Sequence, residues 1–238
     1  MMTLQIEHLC KTYPGGSTAL NDVSLTIEKG QFVVILGKSG AGKSTLLRCI
    51  NRLVEPSSGE VVLGGESITS ARPKQLRRLR RKIAMVFQNY NLVKTRSVLV
   101  NALSGCLGAA PWLASLFGRF PQERVDEAVA LLNDLGLGDK LDQAAGTLSG
   151  GQQQRVGIAR SLMQKPDIIL ADEPVASLDP ETAHSIMRLL SEINQKYQVT
   201  VLCNLHQPEL ARSYGHRALA LANGSLVYDG LPAGTTGL

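Results

Sequence analysis

Residues 31–50 read QFVVILGKSGAGKSTLLRCI, and three kinds of chain follow one another within them. FVVIL is a short apolar run bounded by turn residues, the pattern of a buried strand. GKSGAGKST, residues 37–45, has the spacing Gly, four residues, Gly-Lys-Ser. LLRCI then continues as a helix. Strand, glycine loop and helix in that order make a phosphate cradle. Gly37, Gly40 and Gly42, with Ser39 and Ala41 between them, leave backbone N–H groups free to close around phosphate oxygens, and the helix N-terminus faces the same anion. Lys43 is expected to reach the β- and γ-phosphates and the Ser44 hydroxyl to ligate magnesium, with Thr45 completing the nucleotide-contacting set.

Outward from this loop the pattern stays consistent. NDVSLTIEKG, residues 21–30, alternates Val23, Leu25 and Ile27 with polar neighbours, as a half-buried strand does. GEVVLGGESI, residues 59–68, is a second strand-rich piece. IAMVFQ (83–88), DIILAD (167–172) and VTVLCNL (199–205) are further apolar strands separated by helical stretches. From 91 to 164 the period becomes helical, with Val125, Ala128, Val129, Leu131 and Leu132 spaced for one face. Buried strands alternating with helices imply a mostly parallel sheet with crossover connections. The expected fold is α/β, a P-loop NTPase core of RecA-like kind with an antiparallel β subdomain and an inserted α-helical subdomain. The expected division is 1–88 and 165–238 for the core and its antiparallel layer, and 89–164 for the helical part.

DIILADEP supplies the acid such a site needs, because its strand ends in two adjacent carboxylates. Asp172 is placed to hold magnesium and Glu173 to orient or polarise the attacking water. LSGGQQQR, residues 148–155, is a second glycine stretch: Ser149 reads as a helix N-cap and Gly150 and Gly151 leave the backbone open, so this helix start is another anion site. Taken in order, GKSGAGKST, LSGGQQQR and ILADEP resemble the phosphate loop, signature and acidic strand of the ATP-binding cassette family, over essentially the whole chain. The resemblance implies an ATPase with ATP and Mg2+ as cofactors, in which two cassettes pack head to tail and the signature of one (Ser149, Gly150, Gly151, Gln152) closes over the nucleotide held by the other. It further implies that Tyr13 stacks on adenine, that Gln88 joins core to helical part and senses magnesium or water, and that Asp179 lies in a loop crossing the pair. His206 matches the histidine that contacts the γ-phosphate.

DEPVASLDP, CNLHQPELARSYGHR, LVYDG and the 112–120 insert resemble, within that family, the ATPase subunits of importers for phosphonates and related reduced-phosphorus anions. The implied partners are a second copy of the chain, integral-membrane permease subunits and, indirectly, a periplasmic or extracellular solute-binding protein, which places the chain on the cytoplasmic face of the cell membrane. The alternative is a scaffold or energising subunit of a soluble phosphorus-metabolism complex. The chain departs from the family pattern in places: Gly157 and Ser161 stand where alanines are usual, and Ala145-Gly146-Thr147 precedes the signature without the usual basic residue.

Composition narrows the classes. The chain has 238 residues, 44% hydrophobic content and a net charge of +5, enough for a real core and only mildly basic. The densest basic run, ARPKQLRRLRRK (71–82), lacks interleaved aromatics, so a solvated helix is expected and no nucleic-acid partner. Cys10, Cys49, Cys106 and Cys203 are scattered with neither C-x-x-C nor zinc spacing, which favours reduced thiols. No secretory signal is visible at the amino end. The uncharged stretch 98–118 has the length to span a bilayer, but its Gly-Ala-Ala-Pro break favours two amphipathic helices of a soluble part.

Overall fold

The computed structural model describes residues 3–108 and 120–235. In chain order the strands are β1 (Leu4–Thr12), β2 (Thr18–Ile27), β3 (Phe32–Leu36), β4 (Ser58–Leu63), β5 (Glu66–Ser67), β6 (Ile83–Val86), β7 (Ile168–Asp172), β8 (Thr200–Asn204), β9 (Arg217–Ala222) and β10 (Ser225–Gly230). The helices are α1 (Lys43–Ile50), α2 (Pro73–Arg80), α3 (Val98–Leu103), α4 (Gln122–Asp134), α5 (Gly150–Met163), α6 (Pro180–Tyr197) and α7 (Pro208–Tyr214).

The expected strand patterns divide into two sheets. β2, β1, β4 and β5 form an antiparallel layer, its last hairpin turned by Gly64 and Gly65, both at positive φ as a two-residue primed turn requires. The second sheet has the order β10-β9-β3-β8-β7-β6, parallel from β9 to β6 with β10 antiparallel at one edge. Alternation along its strands sends side chains to two cores. Val33, Ile35, Met85, Leu170 and Leu202 pack with α1 and the antiparallel layer. Phe32, Val34, Val86, Ala171 and Val201 pack with α6 and α7 on the other face. Both faces are covered, which is why these strands read as continuous apolar runs.

Between β6 and β7 the described residues hold helices and one isolated bridge, Ser97 to Ala144. In α4, Ala128 and Leu132 are fully buried and Val125 and Leu131 pack beside them, while Val129, expected on the same face, is only half-buried and joins no cluster. α5 serves two cores: Ile158 joins the sheet cluster while Val156 and Ala159 join the helical one. Ser161 donates to the carbonyls of Gly157 and Met85, at 3.0 and 3.3 Å, so its hydroxyl ties α5 to β6. A methyl at Gly157 would meet only the Tyr90 carbonyl, at 3.7 Å, so nothing in the structure explains the glycine there. In α2 only Leu79 is buried, as a solvated helix requires.

The uncharged stretch begins as α3, capped by Ser97, and passes into a short 3-10 turn at Ser104–Cys106; its second expected helix and most of the 112–120 insert lie outside the described residues. Among the described residues no helix is long and apolar enough to cross a membrane. All four cysteines are free; burial pushes the Cys49 thiol up to about 11 and raises those of Cys106 and Cys203, which keeps them as inert thiols.

Candidate active site

Register positions the site. β3 and β8 align Ile35 with Asn204, and β8 and β7 align Asn204 with Asp172, so these strands end level at one edge. Ligands of open α/β sheets bind beyond that carboxyl edge. The glycine loop leaves β3 there and Glu173 and His206 leave β7 and β8 beside it.

Three loop glycines hold left-handed or extreme dihedrals, and two also need their missing Cβ. A methyl at Gly37 would lie 2.5 Å from the Leu221 carbonyl oxygen, and one at Gly42 2.3 Å from that of Ala19. The loop is therefore pressed against β9 on one side and the start of β2 on the other. Lys43 is buried, and its ammonium donates to the carbonyls of Gly37 (2.6 Å) and Lys38 (3.2 Å), folding back across its own loop. Burial lowers its pKa while the Glu173 and Asp172 carboxylates push it back up. A buried cation beside a glycine loop is a strong anion receptor once it exchanges those carbonyls for phosphate.

Asp172 is the hub. Its buried carboxylate accepts from the Ser44 hydroxyl (2.7 Å) and the Asn204 amide (2.9 Å) on Oδ1, and from Arg48 (3.3 Å) on Oδ2. Glu173 follows in the left-handed region, at φ +51°, a conformation that costs a β-carbon residue about 1–3 kcal/mol and is held only by surroundings that over-determine it. Its carboxylate meets His206 Nε2 at 2.6 Å. Tyr13 is partly exposed, with its hydroxyl 3.4 Å from the Thr45 hydroxyl and Lys11 Nζ 5.1 Å from its ring centre. Hydrogen bonds thus join Ser44 to Asp172, Glu173 to His206 and Tyr13 to Thr45 at this edge, and a neighbouring cavity is lined by Gly37, Ser39, Gly40, Ala41 and His206. Gln88 lies exposed in the turn after β6, with no hydrogen bond to that group.

Sequence reasoning missed Asn204 and Arg48. Asn204 is fully buried, donates to Asp172, and its Oδ1 has no partner among the described residues. The available signal was a polar residue closing an apolar strand two positions before His206. Arg48 stands one turn after Ser44 on α1, a spacing that puts both over the same acid.

The signature residues stand elsewhere. Ser149 caps α5 by a reciprocal capping box with Gln152, at 3.4 and 3.0 Å. Gly151 has no room for a side chain, since a methyl would lie 2.4 Å from Thr182 Cγ2. Asp179 caps α6 by accepting from Thr182 N (3.0 Å), a bond that lowers its pKa. So the signature and the Asp179 loop are neighbours, while no hydrogen bond or ion pair links either to the glycine loop among the described residues. Ser149→Ala is expected to cost about 1 kcal/mol of stability through the lost cap, read as a lower midpoint in urea unfolding with unchanged slope.

Metal fit follows from donor chemistry. No group of three His, Cys, Asp or Glu side chains gathers to cage an ion among the described residues. Ser44 and Asp172 instead offer two oxygen donors at the mouth, which suits Mg2+, an ion that keeps waters and takes its remaining ligands from phosphates.

The fold and this site define a P-loop nucleoside triphosphatase. The comparisons with known proteins are specific beyond that. The family model for ABC transporters matches residues 20–176. The chain is 47% identical to the phosphonates import ATP-binding protein PhnC of Treponema denticola, covering 97% of this chain and 90% of the relative. It is 51% identical to the protein of that name from Lactobacillus acidophilus, covering 95% and 88%. Among solved structures, a nucleotide-free ATP-binding cassette from an ABC transporter matches with TM-score 0.85 and 31% identity, covering 97% of this chain and 92% of that one. A dimeric cassette in a post-hydrolysis state, bound to ADP and phosphate, matches with TM-score 0.80 and 34% identity, covering 96% and 98%. The chain belongs to the ABC transporter family. It is an ATP-binding ATPase of that family.

Proposed function

We propose that this chain hydrolyses ATP to drive an importer of phosphonate, phosphite or a related reduced-phosphorus oxyanion. The observation that carries the enzymatic part is the convergence of Lys43, the Ser44–Asp172 pair and the Glu173–His206 pair at one strand edge. The names of the relatives support the solute class. In this reading the loop amides and Lys43 hold the β- and γ-phosphates, and Tyr13 carries the adenine. Ser44 and Asp172 would hold Mg2+, and Gln88 is expected to be a further ligand; such an ion would neutralise phosphate charge. Glu173 accepts a proton from the attacking water. His206, 2.6 Å from that carboxylate, fixes its rotamer and would contact the γ-phosphate.

The α5 N-terminus is an anion site that its own glycine loop does not reach. It serves a second copy: Ser149, Gly150, Gly151 and Gln152 close over the partner's ATP, with Asp179 crossing the pair. The division of the chain into a core and a helical part at 89–164 belongs to the same reading. Near Gln88 a cavity of about 290 Å3, lined by Asn51, Leu53, Phe87, Ser104, Gly105 and Arg160 among others, opens between the core and the start of the helical part. Its lining mixes Leu53 and Phe87 with Asn51, Ser104 and Arg160, a surface that can take a permease segment with both apolar and polar side chains, and docking there attaches the chain to the cytoplasmic face of the membrane.

Purification from detergent-solubilised membranes tests this. Two integral-membrane subunits are expected with the wild-type chain, and their loss with Leu53→Glu, whose side chain is exposed and leaves the ATP mouth untouched. Recovery of soluble lyase subunits instead, or unchanged recovery of membrane subunits with Leu53→Glu, would overturn the importer role or the docking surface respectively.

A further inference from the structure

At the carboxyl edge of the parallel sheet, Ile35, Asn204 and Asp172 stand level on three neighbouring strands. Alternation puts Asn204 on the same face of β8 as Leu202, the face covered by α1. Its neighbours there, Leu202 along the strand and Ile35 across it, are buried apolar residues. A leucine, close to asparagine in shape, would continue that apolar surface.

The side-chain amide at 204 is instead fully buried and only half satisfied. A carboxylate can only accept, so the amide must turn its Nδ2 to Asp172, which it meets at 2.9 Å. That orientation sends Oδ1 away from the acid, where it has no partner among the described residues. A buried acceptor without a donor is destabilising. The bond to Asp172 is the side-chain contact set against that cost.

Asp172 has another claimant. Its Oδ1 accepts from Ser44 (2.7 Å) and Asn204, while its Oδ2 faces Arg48 at 3.3 Å. An ordinary guanidinium–carboxylate bond is shorter, about 2.7–2.9 Å, and arginine does best with two parallel bonds to both oxygens. Arg48 is half-exposed, so it has room to close. Reaching the two-bond geometry needs the carboxylate to turn, and the donors on Oδ1 resist that turn. Ser44 is not independent of the metal, because the same hydroxyl is read as a ligand of Mg2+. Asn204 is.

We propose that Asn204 is a positioning residue for the metal: its amide holds the Asp172 carboxylate beside Ser44 and against closure onto Arg48. This rests on the reading of Ser44 and Asp172 as Mg2+ ligands. Partners that orient a ligating carboxylate commonly set metal affinity by about 10–100-fold, and Asn204 is the neutral donor that does so here.

The test is Asn204→Leu in the full chain, with Mn2+ as the probe and its free-ion paramagnetic resonance signal as the readout, titrated in the presence of ADP. Kd for Mn2+ is expected to rise by about 10–100-fold. Affinity for a fluorescent ATP analogue in EDTA should stay within about twofold, since Asn204 touches none of the loop that grips phosphate. The melting temperature should stay within about 4 °C of the wild type, because the orphaned acceptor leaves together with the bond. Should the leucine protein fail to fold, Asn204→Ala removes the amide without adding bulk and reads the same titration. A double-mutant cycle isolates the contest for the carboxylate: in an Arg48→Met background no guanidinium is left to close, and Asn204→Leu should cost less than about threefold in Mn2+ affinity. Unchanged Mn2+ affinity in Asn204→Leu, or a cost that persists in full beside Arg48→Met, would overturn the proposal. Failure of the underlying reading looks different, as a wild-type chain that binds nucleotide but no Mn2+.

Discussion

Glu173→Gln is expected to slow ATP hydrolysis by about 10²–10⁴-fold, the range for loss of a positioned general base, while the chain still binds ATP. Glutamine keeps the shape and can still meet His206, but its amide has no basicity to take a proton from water. In the proposed reading the loop glycines, Lys43 and Ser44 grip phosphate from β3 and α1 and Glu173 does not; it leaves β7 in a left-handed conformation, with its carboxylate 2.6 Å from His206 Nε2. The change therefore falls on turnover and leaves binding in place. A second consequence concerns assembly. If ATP links the glycine loop of one copy to the α5 N-terminus of another, a variant that binds without hydrolysing accumulates the pair by mass action. Sedimentation with ATP should show a dimer for Glu173→Gln at concentrations where the nucleotide-free chain is monomeric. Hydrolysis near the wild-type rate would remove Glu173 from its role, and a monomer with ATP demonstrably bound would remove the signature from the partner's site.

The fold was legible because its strands carry the strongest signal a sequence offers. β3, β6, β7 and β8 are buried on both faces and read as apolar runs, and β2 reads by alternation because one face is wet, whereas β1 was not read as a strand. Lys43, Ser44, Asp172 and Glu173 were legible because each sits at a strand end or helix start whose chemistry is local. Asn204 and Arg48 were not, since their roles depend on register between β7 and β8 and on α1 lying over Asp172, facts of tertiary packing. The burial of Gln154 and the bonds from Arg160 to the carbonyls of Tyr90 and Asn91 were equally hidden. Gln154 reads as one more polar residue in a capped helix, and only tertiary packing makes it a buried amide.

Lys43→Met should separate affinity from stability. The wild-type ammonium is buried, with its pKa lowered by desolvation. A lysine whose folded pKa lies below its unfolded one costs stability wherever it is protonated in the folded chain, and that cost is relieved only as pH rises through the lowered pKa. At neutral pH the nucleotide-free fold therefore bears the charge at a loss, offset by the bonds to the carbonyls of Gly37 and Lys38. Methionine removes both the cost and the bonds, so the melting temperature should stay within about 4 °C of the wild type, a change of roughly 1 kcal/mol or less. Affinity has no such offset. The ammonium would make two charge-assisted bonds to phosphate, each contributing about 1.5–3 kcal/mol, so Kd for ATP should rise by about 10²–10⁴-fold, with turnover lost at ordinary ATP concentrations. Titration with a fluorescent ATP analogue and a thermal melt on the same preparation read the two quantities. A variant that is folded and binds within about tenfold of wild type would show that the loop amides alone hold the phosphates and that Lys43 serves only to fold the loop.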